Sequence, residues 1–238
     1  MNSSKHFIFP QGRPLPASRL REVYGVLRKT FGYQHWWPGE TPFEIIVGAI
    51  LTQNTSWSNV EKAIRNLKRA GKLSPHALHK IPPRELARLI RPSGYFNIKA
   101  SRLKSFMDFF FTKFGGNIRQ MSKLDGLQLR EELLGVPGIG PETADSILLY
   151  ALVKPFFVID AYTKRIFARH RIRFSRLRLS PRRLFELSYS DWQAIFTRHL
   201  PRRIPLYNDF HAQIVHLGKT YCRASRPLCS YCPLANYL

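Results

Sequence analysis

Four groups of residues in this sequence have the types and spacing to do chemistry. The segment Leu134-Gly135-Val136-Pro137-Gly138-Ile139-Gly140-Pro141-Glu142-Thr143-Ala144 sets a Gly-X-Gly turn between two apolar stretches, with a proline opening the second. Glycines let a backbone approach a phosphate closely, free amide N–H groups can point at it, and the helix that follows adds its positive end. The same spacing also suits an ordinary hairpin between helices that needs glycine only for tightness. Asp160 stands before a helical stretch, where its carboxylate can cap the first turn. All three cysteines, Cys222, Cys229 and Cys232, gather near the end of the chain, which points to a local metal site rather than a disulfide scaffold. Residues 164–203 hold twelve Lys and Arg, eleven of them Arg, against Glu186 and Asp191, with Phe174, Tyr189 and Trp192 interleaved. Guanidinium forks match phosphate geometry, so this run reads either as a polyanion surface or as a solvated face.

The elements that position these groups are helical almost throughout. Apolar residues at helical spacing predict helices over residues 19–30, 43–51, 59–70, 84–90, 98–114, 127–134, 142–152 and 161–170. Gly71 and the pair Gly115-Gly116 sit where helices stop, and Pro82-Pro83 opens a short one. Residues 156–159 are β-prone but too short and isolated to build a sheet.

The 38 Lys and Arg against 15 Asp and Glu leave a formal charge of +23 on 238 residues, a field that attracts polyanions. Nucleic acid and an anionic membrane surface are the two candidate partners. No run of about 18 apolar residues is present to span a bilayer. The first sixteen residues lack the apolar run of a signal peptide, so the chain reads as cytoplasmic.

Four segments taken in order carry a resemblance. They are Ile50-Leu51-Thr52-Gln53-Asn54-Thr55, Gly94-Tyr95-Phe96-Asn97-Ile98-Lys99-Ala100, the glycine hairpin, and Phe157-Val158-Ile159-Asp160-Ala161-Tyr162-Thr163-Lys164-Arg165-Ile166. Together they resemble the helix-hairpin-helix, or endonuclease III, superfamily of DNA glycosylases over about residues 43–232. The resemblance implies an all-α, two-lobed fold. A six-helix lobe would span residues 42–152, and a second lobe would join residues 1–41 to 153–238. The hairpin, Asp160 and the Trp36–Trp37 pair would face a DNA cleft.

Site roles follow from the same resemblance. Asp160 would be the catalytic carboxylate, stabilising positive charge on the deoxyribose as the N-glycosidic bond breaks and orienting the attacking water. Gly138, Ile139, Gly140, Thr143, Lys164 and Arg165 would bind DNA. Bifunctional members carry lysine where this chain has Glu142; a carboxylate cannot form a Schiff base, so a monofunctional enzyme is implied. Cys222, Cys229 and Cys232 resemble the start of the superfamily's four-cysteine [4Fe–4S] loop, with Leu238 in the place of the fourth ligand. Three thiolates could hold an incomplete cluster, or zinc with another ligand, or the loop could be a packed remnant. The arrangement of Trp36, Trp37, Phe43 and Asn54 looks like the 3-methyladenine glycosylase branch, which clasps cationic alkylated purines between aromatic faces. The partner implied is double-stranded DNA carrying a damaged base, bound by a nucleoid-associated monomer. A mismatch or uracil/thymine glycosylase, an endonuclease III-type nicking enzyme using some other amine, and a DNA-binding module without chemistry are the rival readings.

Overall fold

The computed structural model describes residues 18–170 and 184–237. These residues are helical with no strand among them, and residues 156–159 run as an irregular, buried segment. Two compact units divide the chain. One joins Met1–His35 to Phe157–Leu238, and the other is continuous from Trp36–Phe156, wider at both ends than the expected 42–152.

The continuous unit is built round a helix that is apolar on nearly every side apart from Glu44, which pairs with Lys68 at 3.0 Å. This is α2, Pro42–Leu51, which starts where Thr41 Oγ1 accepts the Glu44 amide at 3.1 Å and proline occupies the first turn. Helix α3, Trp57–Arg69, buries Val60, Ala63, Ile64 and Leu67 in a single stripe. Two short helices follow, α4 over Pro75–Lys80 and α5 over Pro83–Leu89. Helix α6, Phe96–Phe114, buries Leu103, Phe106, Met107 and Phe110 and ends at Gly115, whose φ of 59° is the left-handed stop. Next come α7, Ile118–Lys123, and α8, Gly126–Leu134, the latter capped by Asp125 accepting the Leu127 amide at 2.8 Å. The last helix of the unit, α9, Pro141–Ser146, widens into a π turn over Ile147–Ala151. Arg130 on α8 forks Asp145 on α9, Nε to Oδ1 at 2.6 Å and Nη2 to Oδ2 at 3.2 Å, with the Asp145 side chain fully buried.

In the other unit α1, Ser18–Phe31, buries Leu20, Val23 and Leu27. Helix α10 is Ala161–Arg169, α11 is Tyr189–His199 and α12 is Ile204–Thr220. Phe196 of α11 stacks on Phe157 at 4.3 Å and meets Phe167 of α10 edge-on at 5.0 Å. Asp209 of α12 ties α1 to the core by accepting from the Tyr24 hydroxyl at 2.9 Å and the Gln34 amide at 3.1 Å. Burial, then the Asp209 bond and charge, push the Tyr24 phenol up to about 12. The arginine run expected to continue through Arg171, Arg173, Arg176 and Arg178 lies outside the described residues, as do Phe174 and Leu238.

Replacing Arg130 by Met leaves the Asp145 carboxylate buried without its fork. Removing one partner of a buried pair costs about 3–5 kcal/mol. A urea titration of Arg130→Met should show a midpoint lowered in proportion; a midpoint equal to wild type would show the fork to be dispensable.

Candidate active site

The hairpin between α8 and α9 comes close to what its spacing demands. Gly138 has φ 87°, and a Cβ there would sit 2.3 Å from Cγ of Arg102, so both backbone and space require glycine. The turn closes with the Ile139 amide on the Val136 carbonyl at 3.0 Å. The side chains of Ile139 and Thr143 point inward, 4% and 6% exposed, whereas Gly138, Gly140 and Glu142 are exposed. Thr143 therefore serves the hairpin from beneath, and Gly138 and Gly140 present backbone outward.

What holds that surface is Gln53, at the end of α2. Its Nε2 donates to the Gly138 carbonyl at 3.0 Å and to Thr143 Oγ1 at 2.9 Å, and its Oε1 accepts from Arg102. Neither Gln53 nor Arg102 stood out in the sequence as a support for the hairpin. The next residue, Asn54, is exposed with φ 53°. Lys99 lies under the same turn, 1% exposed, with Nζ on the Leu51 carbonyl at 2.9 Å and the Ser93 carbonyl at 2.6 Å. Burial, then the nearby Arg102 charge, bring its amine down to about 8.

Trp36 and Trp37 belong to an aromatic group that reaches further than their adjacency suggests. Trp57 lies edge-on to Trp37 at 5.1 Å and 6.1 Å from Trp36, and Tyr150 of the π turn lies 5.2 Å from Trp37. The three tryptophans are half-buried, and Trp37 Nε1 is a buried donor with no hydrogen-bond partner among the described residues. Trp57 Nε1 instead donates to Glu61 Oε1 at 2.7 Å. Phe43 does not open onto a pocket. It is 5% exposed in the core, its ring 6.3 Å from that of Phe110, because α2 is apolar nearly all round and its first turn is already inside.

In the other unit Asp160 caps α10. Its Oδ1 accepts the Thr163 amide at 2.7 Å and the Thr163 hydroxyl at 2.8 Å. Its Oδ2 lies 3.6 Å from Nε2 of His211 on α12. Burial raises the Asp160 carboxyl, but the His211 charge 3.6 Å away together with the two Thr163 bonds outweighs it and holds it below the usual carboxylate range. Asp160 and His211 are 8% and 5% exposed, so the carboxyl lies in a nearly dry setting. His211 was absent from the sequence reading, and Thr163 entered it only as part of the segment around Asp160.

Arg165 does not reach outward as expected. Its Nε donates to the Cys222 carbonyl at 2.7 Å and its Nη2 to the Gly218 carbonyl at 3.3 Å, so the fork is spent inside the protein. Arg169 likewise donates to the Arg223 carbonyl at 2.6 Å and the Ala224 carbonyl at 2.8 Å, and lies 3.6 Å from Cys222 Sγ. Lys164 is half-buried.

The cysteine loop does not fit a four-thiolate cluster. Cys222 and Cys232 are buried and Cys229 is exposed, and among the described residues no three His, Cys, Asp or Glu side chains are placed to hold a metal ion. The buried sulfurs face α10 instead, Cys232 Sγ lying 3.8 Å from His170 Nε2. Burial pushes the Cys232 thiol up, toward the protonated form.

Residues 47–179 match the family described as HhH-GPD superfamily base excision DNA repair protein. The chain belongs to that superfamily. It is 43% identical, over 92% of its length and 94% of the relative's, to a protein of Methanocaldococcus jannaschii that carries the provisional name of DNA repair glycosylase. It is 29% identical to endonuclease III of Thermotoga maritima over 82% of each chain. Its identity to a thymine/uracil-DNA glycosylase of Pyrobaculum aerophilum is 30%, over 84% of this chain and 81% of that one. Among solved structures, a non-covalent endonuclease III–DNA complex superposes with a TM-score of 0.76 over 94% and 95% of the two chains at 22% identity, which shows the fold. The H. pylori 3-methyladenine DNA glycosylase bound to 1,N6-ethenoadenine superposes with a TM-score of 0.67 over 86% and 98%, at 28% identity. This protein is accordingly an all-α base excision repair DNA glycosylase of the HhH-GPD superfamily. No helix of the described residues is long and apolar enough to cross a membrane.

The depressed Asp160 carboxyl has a consequence for stability. Its contribution is fully present above the ordinary value of 3.8 and is lost as pH falls through the lower folded value. The gap in urea midpoint between wild type and Asp160→Asn should therefore be widest near neutrality and narrow below that value; a gap constant across pH would contradict this.

Proposed function

We propose that this glycosylase is monofunctional, uses Asp160 as its acting carboxylate and releases alkylated purines of the 3-methyladenine type. The observation that supports the chemistry is the buried Asp160, with Oδ1 committed to the helix cap and Oδ2 3.6 Å from His211 Nε2. A fixed anion of this kind favours the positive charge that develops on the sugar as the base departs. It can also orient the attacking water or take its proton.

The absence of lyase chemistry rests on two residues. Glu142 occupies the exposed first turn of α9, where the hairpin would offer an amine, and it complements the helix dipole there. Lys99, the low-pKa amine of the same unit, has its Nζ turned inward onto two carbonyls and is not offered to a sugar. Phosphate binding is assigned to the exposed Gly138 and Gly140 backbone, with Lys164 and the arginines of residues 171–183 as charge partners.

The substrate class rests on the aromatic group. The half-buried Trp36, Trp37 and Trp57, backed by the buried Tyr150, would offer electron-rich faces to a base that already carries positive charge, and N-alkylation also weakens the bond to the sugar. A uracil or mismatched-thymine substrate is the second reading, favoured by the identity to the thymine/uracil-DNA glycosylase.

Asp160→Asn should abolish single-turnover base release while leaving duplex affinity nearly unchanged, since the carboxylate acts on the transition state. Wild-type protein with abasic DNA and borohydride should give no adduct. Retained release in the mutant would remove Asp160 from the role, and a trapped peptide would remove the monofunctional reading.

Across duplexes carrying 3-methyladenine, 7-methylguanine, hypoxanthine, uracil and G·T, 3-methyladenine should be released fastest. Trp37→Ala should slow that release by on the order of tenfold or more, as loss of about 1–3 kcal/mol of stacking implies, with little effect on duplex affinity. Fast uracil or thymine release with 3-methyladenine ignored would decide for the second reading.

A further inference from the structure

We infer that His211 is the positioning residue of the site: its imidazole, 3.6 Å from Oδ2 of Asp160, holds and aims the carboxylate in its buried setting. This rests on the reading of Asp160 as the acting carboxylate.

The carboxylate has two oxygens with separate duties. Oδ1 is engaged twice by Thr163, which is itself fully buried, so it is fixed by the first turn of α10. Oδ2 is the oxygen left to act, and His211 Nε2 lies 3.6 Å from it. A carboxylate oxygen has lone pairs for more than one partner, so an imidazolium on one side leaves room for a sugar or a water on the other. Without an opposite charge, a carboxylate this buried would gain by taking up a proton, and a neutral acid would neither stabilise a cation nor accept a proton from water.

The register that brings His211 there is built into α12. Gly218 lies two helical turns beyond His211 and so shares its face. A Cβ on Gly218 would lie 2.3 Å from Tyr162 Cδ1, so glycine is what lets α10 and α12 approach closely. Further along the contact, the Arg165 fork reaches the Gly218 and Cys222 carbonyls. Helix packing thus delivers the imidazole to the cap at the other end of α10.

The surrounding ionisable groups are otherwise engaged. The Tyr162 phenol on α10 is raised by burial and then by the Asp160 charge, so it stays neutral, and the Arg165 guanidinium sits over its ring at 4.9 Å. On α11, Tyr189 Oη accepts the Ile159 amide at 3.3 Å. Asp209, on the same helix as His211, faces Tyr24 and Arg28 of α1. Burial raises the Asp160 carboxyl, and among these groups it is the His211 charge that lowers it.

The test is the pH profile of single-turnover release, on the duplex that wild type processes fastest in the five-lesion panel. Wild type, His211→Gln and His211→Asn are compared, with circular dichroism reporting fold and duplex Kd measured alongside. Loss of an opposite charge at this range should move the acid limb up by about 1–3 pH units, with the rate partly recovered on the alkaline side and Kd unchanged. A rate that drops equally at every pH, with the acid limb unmoved, would overturn the inference and leave His211 a packing residue. A second readout needs no activity. The 13C-carboxyl resonance of Asp160, assigned by its loss in Asp160→Asn, should titrate at higher pH in the His211 variants than in wild type, and an unmoved midpoint overturns the pairing. Should Asp160→Asn retain base release, the catalytic reading of Asp160 fails, while this titration still decides whether His211 holds the carboxylate.

Discussion

A carboxylate taken out of water must be given back nearly all that water supplied. The effective penalty for burying one ion is several kcal/mol, and no single contact in the Asp160 site repays it. The site meets it from three directions: the backbone N–H at the start of α10, the Thr163 hydroxyl and the His211 imidazole. Each requirement fixes a larger element. The cap sets where α10 begins, the Thr163 contact sets the rotation of its first turn, and the imidazole requires α12 to pass close by. The aromatic packing of Phe157, Phe167 and Phe196 then holds α10 and α11 at fixed separation. Much of this unit can be read as the support that one ionised group needs.

The continuous unit answers a different constraint, which is to hold an exposed glycine turn in one shape. An exposed glycine turn is entropically loose and would lose binding energy to ordering. Gln53 and Arg102 remove that freedom from below, and the Arg130–Asp145 fork locks the helices on either side. The left-handed Gly138 does more than relieve strain, because its missing Cβ is where Arg102 passes. The exposed hairpin surface is thus held in shape by side chains that pack beneath it.

These two constraints also explain how far the sequence could be read. Helices with a clean apolar stripe, such as α3 and α6, were legible to within two residues, and so were the cap at Asp160 and the glycine stop at Gly115. Helix α12 was missed because it is buried on nearly all faces and carries Asp209, His211 and Gln213 inside, which breaks the apolar periodicity. The glycine hairpin was visible as a pattern, whereas Gln53 was not tied to it, since a support from a distant part of the chain leaves no local signature. Phe43 was misassigned for the opposite reason: an aromatic residue near a tryptophan pair looks like a pocket wall until the helix around it proves to be core. Leu51, Ser93 and Lys99 form a junction that only the fold brings together.

The basic charge shows the same limit in another form. A net charge of +23 acts at long range whatever its side chains touch, drawing in a polyanion and making binding depend on salt. Contact is a separate matter. Arg165 and Arg169 grip carbonyls of the α12 end and the cysteine loop, Arg130 holds Asp145, Arg102 holds Gln53, and Arg28 lies over the Tyr33 ring. Each of these guanidiniums still contributes to the field while its forks serve the fold. An arginine-rich segment therefore identifies the polarity of the partner without identifying the residues that meet it. On the proposed reading, the encounter is driven by the whole charge, while register on a duplex would fall to uncharged backbone at Gly138 and Gly140, since directional hydrogen bonds distinguish one alignment from the next in a way that a diffuse positive field cannot.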